Sequence, residues 1–524
     1  PVGIQSFPDI RERGFVYVDK TARAYELITG SGKAFFLSRP RRFGKSLLCS
    51  TLGSIFEGRR ELFGEIGGRP SLAMDSLDWE WKRHPVIRID LNAGEYSKYG
   101  VEELYDTLYS EMRSTAKKYG VALDRTVRPA SQFKYLIEES CDKIGEKAVV
   151  VIDEYDKPLT NTLDKRDVHI ELRDALKAFY GVLKSCDDYL RFVFITGVSK
   201  FSHVSIFSDL NQLKDLTLDP NYADLCGVTQ EELEADFRPE IDGVLERTGR
   251  SRESYLDEVR RFYNGYRFSK APITVYNPFG LLNHFDGNGE FSDYWYGSAT
   301  PSFLVDLLNM HKVNIQNIGN MRVEYNDFGK YDIENMKAAP LLYQTGYLTI
   351  TDYDDDRRCF TLDYPNEEVY ASFANSLVKH GLGVPSENAD ALHLKLIDAI
   401  HDGDVDAMLN AIKVFLAGIP YDIVPPEKEA YFQTVVCLIF KMLGFDCRPE
   451  VRISAGRIDA IVETRAIVYC FEFKLSGSAE DALAQIDTKE YAYPWIGSGK
   501  KVFKVGVSFD YEKRNIDRWV YATL

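Results

Sequence analysis

The chain has 524 residues, 45% of them apolar, and a formal net charge of −16. That length and apolar content suffice for several hydrophobic cores, and a scale of roughly 150 residues per domain gives three or four domains. The acidic balance excludes a histone-like protein or a basic arm that coats nucleic acid by bulk electrostatics, so any contact with DNA has to be local.

Residues 1–60 hold 11 Lys/Arg against 5 Asp/Glu, and residues 425–524 hold 14 against 14, so the acidic excess lies in the middle of the chain. Eight cysteines (Cys49, Cys141, Cys186, Cys226, Cys359, Cys437, Cys447 and Cys470) are widely spaced without any CxxC. Most sit in apolar runs, the pattern of reduced, buried thiols in a cytoplasm. No stretch approaches the length of a membrane span and no charged-then-apolar leader is present, so a cytoplasmic protein without a membrane partner is expected. The eight histidines show no metal-ligand spacing and read as ordinary core or surface residues.

Along the chain, short β-rich runs alternate with helical patterns from residue 34 to 200: AFFLS, SLLCSTLGSIFEG, PVIRIDL, VEELYDTLYSEMRSTAKKYG, KAVVVID, ELRDALKAFYGVLKSC and RFVFITG. This rhythm predicts a parallel sheet with crossover helices. The runs at 148–153 and 191–196 are continuously apolar between their ends rather than alternating, as central strands covered on both faces must be. Residues 201–300 are rich in loops and aromatic side chains and are expected to continue this domain as a lid-like helical extension. A helix before LLYQTG, then YLTITDY, an Asp-rich turn (Asp354, Asp355, Asp356), RRCFTLDY and a helix from near Pro365 outline a winged-helix module.

A mostly helical stretch then ends at Gly418 and Pro420, and Pro425-Pro426 marks a boundary. Beyond it come a helix from Glu427 to about Leu443, strands near CRPEVRI, RIDAIVE and IVYCFEFKL, a helix near SAEDALAQIDTKEYA and a last strand, KVFKVGVSF. The expected division is 1–300, 301–424 and 425–524.

AFFLSRPRRFGKSLLCS places Gly44, Lys45 and Ser46 between a strand and a helix. In that setting backbone N–H groups cradle phosphates, the lysine reaches the β- and γ-phosphates, and the serine hydroxyl ligates Mg²⁺. The full P-loop pattern wants glycine at 39, where Arg39 stands, and a basic loop capping a helix is the plainer alternative. VVVIDEYD supplies the second half: Asp153 as a Mg²⁺ ligand and Glu154 to polarise the attacking water. In FVFITGVSKFS, Thr196 and Ser199 are candidates to sense the γ-phosphate, and a plain strand-end turn explains them nearly as well. Arg39, Arg41 and Arg42 either add charge beside the phosphates or form a solvated face. Whether a neighbouring subunit completes the site, as in a homo-oligomer, stays open.

In the last segment Asp459 (GRIDAIVE) and Glu472 and Lys474 (YCFEFKL) fall on strands joined by a turn. The i, i+2 spacing puts Glu472 and Lys474 on one face. Two carboxylates together repel unless Mg²⁺ or Mn²⁺ lies between them, and such an ion activates water for phosphodiester hydrolysis while the lysine orients the nucleophile. A salt-bridged strand pair is the alternative. Against it, charges in so apolar a strand are costly unless paired or metal-bound. Glu429 and Gln485, on the flanking helices, could reach the same cleft.

FPDIRERGFVYVDKT, SRPRRFGKSLL, VVVIDEYDKPL, FITGVSKFSHVSIFSDLNQLKDLTL, FYNGYRFS, VYNPFGLL and YWYGSATPSFLV closely resemble a bacterial family of AAA-ATPase-like proteins. GRIDAIVE and FEFKLSGSAEDALAQI resemble the PD-(D/E)XK nuclease-like domain found at the C-terminus of such proteins. The resemblance implies nucleotide binding through Lys45, Ser46 and Asp153, with Asp459, Glu472 and Lys474 at the nuclease motif positions. Arginine at 39 fits the family's usual RPRRFGKS form, whereas Lys489 stands where some related nucleases have tyrosine.

The resulting expectation is an α/β protein: a P-loop NTPase with helices on both faces of a parallel sheet, a helical, winged-helix-like middle, and a C-terminal PD-(D/E)XK nuclease-like domain. Its expected work is to bind and hydrolyse ATP with Mg²⁺ and to control a metal-dependent nuclease, using Mg²⁺ or Mn²⁺, that acts on DNA. The rivals are an ATP-dependent switch or scaffold whose nuclease-like domain binds without cleaving, and a plain NTPase whose last domain is structural.

Overall fold

The computed structural model describes residues 2–200, 207, 210, 212–295, 321–328, 338–376, 395–417, 429–443, 445–453, 456–464 and 466–524. They form two compact units, one from the described residues of 1–299 and 317–366, the other from those of 367–524. No helix among the described residues is long and apolar enough to cross a membrane.

In the first unit α1 (Phe7–Glu12) and α2 (Thr21–Thr29) precede β1 (Ala34–Ser38), α3 (Lys45–Phe56) and the short α4 (Ala73–Ser76). Then come β2 (Val86–Asp90), α5 (Tyr96–Tyr119), α6 (Pro129–Ile144), β3 (Ala148–Asp153), α7 (Lys157–Thr160), α8 (Arg166–Ser185), β4 (Leu190–Gly197) and β5 (Leu213–Asp215). The strands form one parallel sheet in the order β2-β3-β4-β1-β5. Every residue of β3 is buried, because helices cover both faces. Ile87, Val150 and Ile195 pack with α5, α6 and α8 on one face. On the other, Phe56 of α3 meets Phe192 at 5.1 Å, and Phe192 meets Phe35 at 5.4 Å. The three residues of β5 are too few to carry a periodic pattern, and the sequence does not reveal them.

The loop-rich, aromatic segment after β5 is helical over Gln230–Asp236, Arg238–Thr248, Arg252–Tyr263 and Pro278–Asp286, around Leu233, Ile241, Val259 and Leu281. The ribbon β6 (Tyr266–Arg267) and β7 (Thr274–Val275) interrupts these helices. Thr229 and Glu232 form a reciprocal capping box, and Lys20 Nζ lies 2.5 Å from Glu232 Oε1, which ties the helices to the N-terminal segment. Helix Ala338–Thr345 and the hairpin β9 (Thr349–Asp354) and β10 (Cys359–Asp363) also belong to this unit. β8 (Met321–Glu324) joins the hairpin as a third strand, in the order β8-β10-β9. The helix after the hairpin, Glu367–Ser376, belongs to the second unit, so the helix-hairpin-helix outline is shared between the two.

The second unit is a five-stranded mixed sheet, β11 (Asp446–Ile453), β12 (Gly456–Glu463), β13 (Ile467–Lys474), β14 (Lys501–Asp510) and β15 (Asn515–Thr523), ordered as numbered. β13 and β14 are parallel; the other neighbours are antiparallel. Alternation along β13 splits its side chains. Tyr469, Phe471 and Phe473 join a core with helices Val405–Ala417 and Glu429–Met442, whereas Val468 and Cys470 face helix Ala479–Thr488 through Ile486. β15 is an unforeseen edge strand, with only Ile516 fully buried. Gly418, Pro420, Pro425, Pro426 and Glu427 lie outside the described residues, as does the side chain of Glu429. All eight cysteines are free and buried.

Candidate functional site

The phosphate loop leaves the carboxyl end of β1 and enters α3, at the edge where open parallel sheets bind ligands. Two left-handed residues, Arg42 (φ 68°) and Gly44 (φ 88°), bend it onto the N-terminus of α3. A Cβ at Gly44 would meet nothing within 4 Å, so it is the backbone conformation, not crowding, that calls for glycine. Lys45 is only 3% exposed. Its ammonium donates to the carbonyls of Arg39 and Pro40 at 3.2 Å each and lies 3.5 Å from Glu154 Oε1.

β4 stands between β1 and β3 in the sheet, yet the loops after β1 and β3 converge. Asp153 ends β3, and the Ser46 hydroxyl lies beside its carboxylate. Burial, then the charge of Glu154, push the Asp153 carboxyl up to about 6, against the pull of Lys45 and Ser46. A buried acid in that state is one a cation would relieve, and Ser46 and Asp153 together have the hard oxygens that Mg²⁺ takes. Glu154 adopts a left-handed φ of 50°, and its N–H donates to Asp153 Oδ1 at 3.0 Å.

In the second unit Asp459 lies one residue beyond the paired positions Ala460 and Phe471, which sets it opposite Glu472 across the β12–β13 hairpin. Asp459 Oδ2 accepts the Phe473 N–H at 2.8 Å. Glu472 is 2% exposed; its Oε1 accepts from Lys474 Nζ at 3.3 Å and from Gln485 Nε2, whereas its Oε2 is buried without a partner among the described residues. Burial and then the charge of Asp459 push the Glu472 carboxyl up to about 7, against Lys474. An orphaned, buried carboxylate oxygen beside a second acid is a vacancy in hydrogen bonding that a divalent ion fits. No group of three or more His, Cys, Asp or Glu residues suited to a metal occurs among the described residues, so this arrangement offers two carboxylates.

Two family descriptions match this chain: predicted AAA-ATPase over residues 1–207 and PD-(D/E)XK nuclease superfamily over residues 427–519. A protein of Azotobacter chroococcum mcd 1, described as an uncharacterized protein in the vnfD 5′ region, is 36% identical over 533 residues, spanning 100% of this chain and 99% of its own. The chain belongs to this AAA-ATPase-like family with a PD-(D/E)XK domain. A solved structure, the Aeropyrum pernix ORC2 protein in its ADPNP-ADP complexes, covers 82% of this chain and 85% of its own at 11% identity and a TM-score of 0.29, too slight a likeness to bear on either site.

Within the AAA-ATPase-like unit, Gly44, Lys45, Ser46, Asp153 and Glu154 come together, but Thr196 does not offer its hydroxyl to them. It is fully buried and donates to the Leu37 carbonyl at 2.7 Å, because parallel pairing of β1 and β4 sets Thr196 beside Leu37. Ser199 is likewise engaged, donating to Asp156 Oδ2 at 2.5 Å. Asp156 was missed by the sequence reading. Fully buried, it also accepts the N–H groups of Val198 and Ser199 and so welds the turn after β4 to the one after β3. The last acid of DEYD was its only trace.

Arg39 is neither a phosphate ligand nor a solvated residue. At 1% exposure it donates to the carbonyls of Ser38, Thr217 and Tyr222 at 2.9–3.0 Å and lies 4.2 Å from the Phe268 ring centroid. In the PD-(D/E)XK unit, Asp459, Glu472, Lys474 and Gln485 lie together, and Lys489 is exposed at the C-cap of helix Ala479–Thr488. Gln433 is an unforeseen neighbour that donates to the Asp459 carbonyl at 2.6 Å.

Proposed function

We propose that this protein binds and hydrolyses ATP with Mg²⁺ and thereby controls a divalent-metal nuclease site that acts on DNA. The observation that carries the reading is Glu472: buried, raised to about 7, with Oε2 unpartnered and Lys474 and Asp459 beside it. Such a carboxylate is expensive as a structural element and well suited to metal-assisted phosphodiester hydrolysis. Lys45 would meet the β- and γ-phosphates, and Glu154, which now neutralises Lys45, would turn to the attacking water. A cavity of about 110 Å³ adjoins Phe43 and Gly44, and its apolar walls of Ile4, Ile10, Val16 and Leu282 suit a nucleotide base.

In the PD-(D/E)XK unit, Asp459 and Glu472 would hold Mg²⁺ or Mn²⁺ and Lys474 would orient the nucleophile. The ion, when bound, supplies Lewis acidity and a more acidic water. The test is cleavage of plasmid and single-stranded DNA by wild type, Lys45→Ala and Glu472→Ala, each with ATP, with a non-hydrolysable analogue and without nucleotide. Glu472→Ala is expected to lose cleavage and keep ATP hydrolysis. Lys45→Ala is expected to lose only the nucleotide response, which at a coupling of about 1–3 kcal/mol is roughly 5- to 150-fold. Identical wild-type cleavage in all three conditions would dismiss ATP control.

A second reading, a switch whose PD-(D/E)XK domain binds nucleic acid or a partner without cleaving, draws support from the two-carboxylate set. DNA binding by wild type with no cleavage in either metal would favour it.

A further inference from the structure

Three arginines crowd the phosphate loop, and two are committed elsewhere. Arg39 is locked on backbone carbonyls inside the unit, and Arg42 lays its guanidinium 4.8 Å from the Phe279 ring centroid. Arg41 differs. Its carbonyl is fixed by the buried Trp295, whose Nε1 donates to it at 3.1 Å. Among the described residues its half-buried guanidinium takes part in no hydrogen bond or ion pair.

The loop is held rigidly around that residue. A Cβ at Gly346 would lie 2.8 Å from Pro40 Cβ, so the chain packs directly on the loop just before Arg41.

Three residues after Glu154, Lys157 opens α7, with its N–H donating to the Glu154 carbonyl at 3.0 Å. Its ammonium is half-buried and also without a hydrogen bond or ion pair among the described residues. The two loops meet where Lys45 approaches Glu154 to 3.5 Å. Burial first, and the charge of Arg41 second, hold the Lys157 pKa below its ordinary value, against the opposing charges of Glu154, Asp156 and Asp90. Like charges close together in a half-buried cleft repel, and an anion bound between them turns that repulsion into attraction.

We infer that Arg41 and Lys157 grip the γ-phosphate in cis, so that the site tells ATP from ADP and needs no cation from a second subunit. This rests on the ATP reading above and adds to it the residues that stabilise the transferred group. In hydrolysis the water oxygen bonds to the γ-phosphorus as the bond to the β,γ-bridging oxygen breaks. The electron pair leaves with ADP, the water proton passes to Glu154, and the negative charge spread over the γ-oxygens is what Arg41 and Lys157 offset.

The experiment titrates the full chain with Mg²⁺ plus either ADP or the non-hydrolysable β,γ-imido analogue of ATP, followed by calorimetry, for wild type, Arg41→Ala, Arg41→Lys and Lys157→Ala. Each alanine variant is expected to lose about tenfold or more in affinity for the analogue while binding ADP within about twofold of wild type, and to lose about 10³-fold in kcat. Arg41→Lys is expected to restore the analogue's affinity in part. Equal loss for both nucleotides would mean that the residues only support the loop, and an unchanged ratio of affinities would remove them from the γ-phosphate. Either result overturns this inference and leaves ATP binding intact, whereas wild type that binds neither nucleotide overturns the ATP reading itself. Mixing Arg41→Ala with Lys45→Ala decides cis against trans: recovery of hydrolysis in the mixture would show that Arg41 acts on a neighbour's nucleotide.

Discussion

Lys45, the first residue of α3, and Glu154, the residue after β3, form an ion pair at 3.5 Å, with the lysine 3% and the glutamate 18% exposed. The glutamate is thus held as counter-ion to the very cation that a triphosphate would claim. Under the proposed ATP reading, a nucleotide would bring its own negative charge to Lys45 and free Glu154 to polarise water. Lys45→Ala should lower ATP affinity by about 10- to 100-fold, the scale of a charge-assisted contact. Glu154→Gln should bind ATP within a few-fold of wild type and hydrolyse it about 10²- to 10⁴-fold more slowly. Calorimetry and phosphate release measure the two effects, and equal turnover by Glu154→Gln and wild type would remove Glu154 from its assigned role.

Arg39→Gly would restore the residue that the general P-loop pattern prefers, and it is expected to harm this protein. Three carbonyls on separate segments, those of Ser38, Thr217 and Tyr222, would lose their donor in the interior. The expected destabilisation is about 3 kcal/mol, seen as a shift of the first unit's urea transition. Arg39→Lys should recover little of it, since one ammonium cannot span the fork. A neutral Arg39→Gly would show that water replaces the guanidinium.

Folding raises the Glu472 carboxyl from 4.5 to about 7, so between those values the folded chain keeps a proton that the unfolded chain has lost. That contribution to stability is complete below about 4.5 and disappears as pH rises through about 7, a change of roughly 3 kcal/mol at most. Urea unfolding in a chelator across this range should therefore show wild type losing stability relative to Glu472→Gln, which has no proton to release. Added Mn²⁺ should reverse the trend, because it binds the ionised form. A stability difference that is flat with pH would place Glu472 in the ordinary carboxylate range.

Gly506 pairs with Glu472 across β13 and β14, and a Cβ there would lie 2.3 Å from the Ala479 carbonyl and 2.6 Å from the Leu483 nitrogen. Gly506→Ala should push helix Ala479–Thr488 outward and draw Gln485 from Glu472, at about 1–3 kcal/mol. The urea midpoint of the second unit reports the cost, and weakened Mn²⁺ binding reports the displaced glutamine. An unchanged midpoint would mean that the helix shifts freely.

The sequence by itself determined the elements and the chemistry that depend on short range. Unbroken apolar runs required the covered strands β3 and β4; Gly44-Lys45-Ser46 between a strand and a helix located the phosphate loop; and the two-residue period of β13 placed Glu472 and Lys474 on one face. Tertiary structure alone decided which polar atoms remained to act. The Thr196 hydroxyl is consumed by Leu37 because β1 and β4 are neighbours, a pairing between residues 159 positions apart. Arg39 turns inward because Thr217 and Tyr222, about 180 positions away, present carbonyls to it, whereas Arg41, two residues on, stays uncommitted. Local periodicity is written in a window of a few residues, but whether a side chain's hydrogen bonds are already spent depends on partners that only the folded chain brings near.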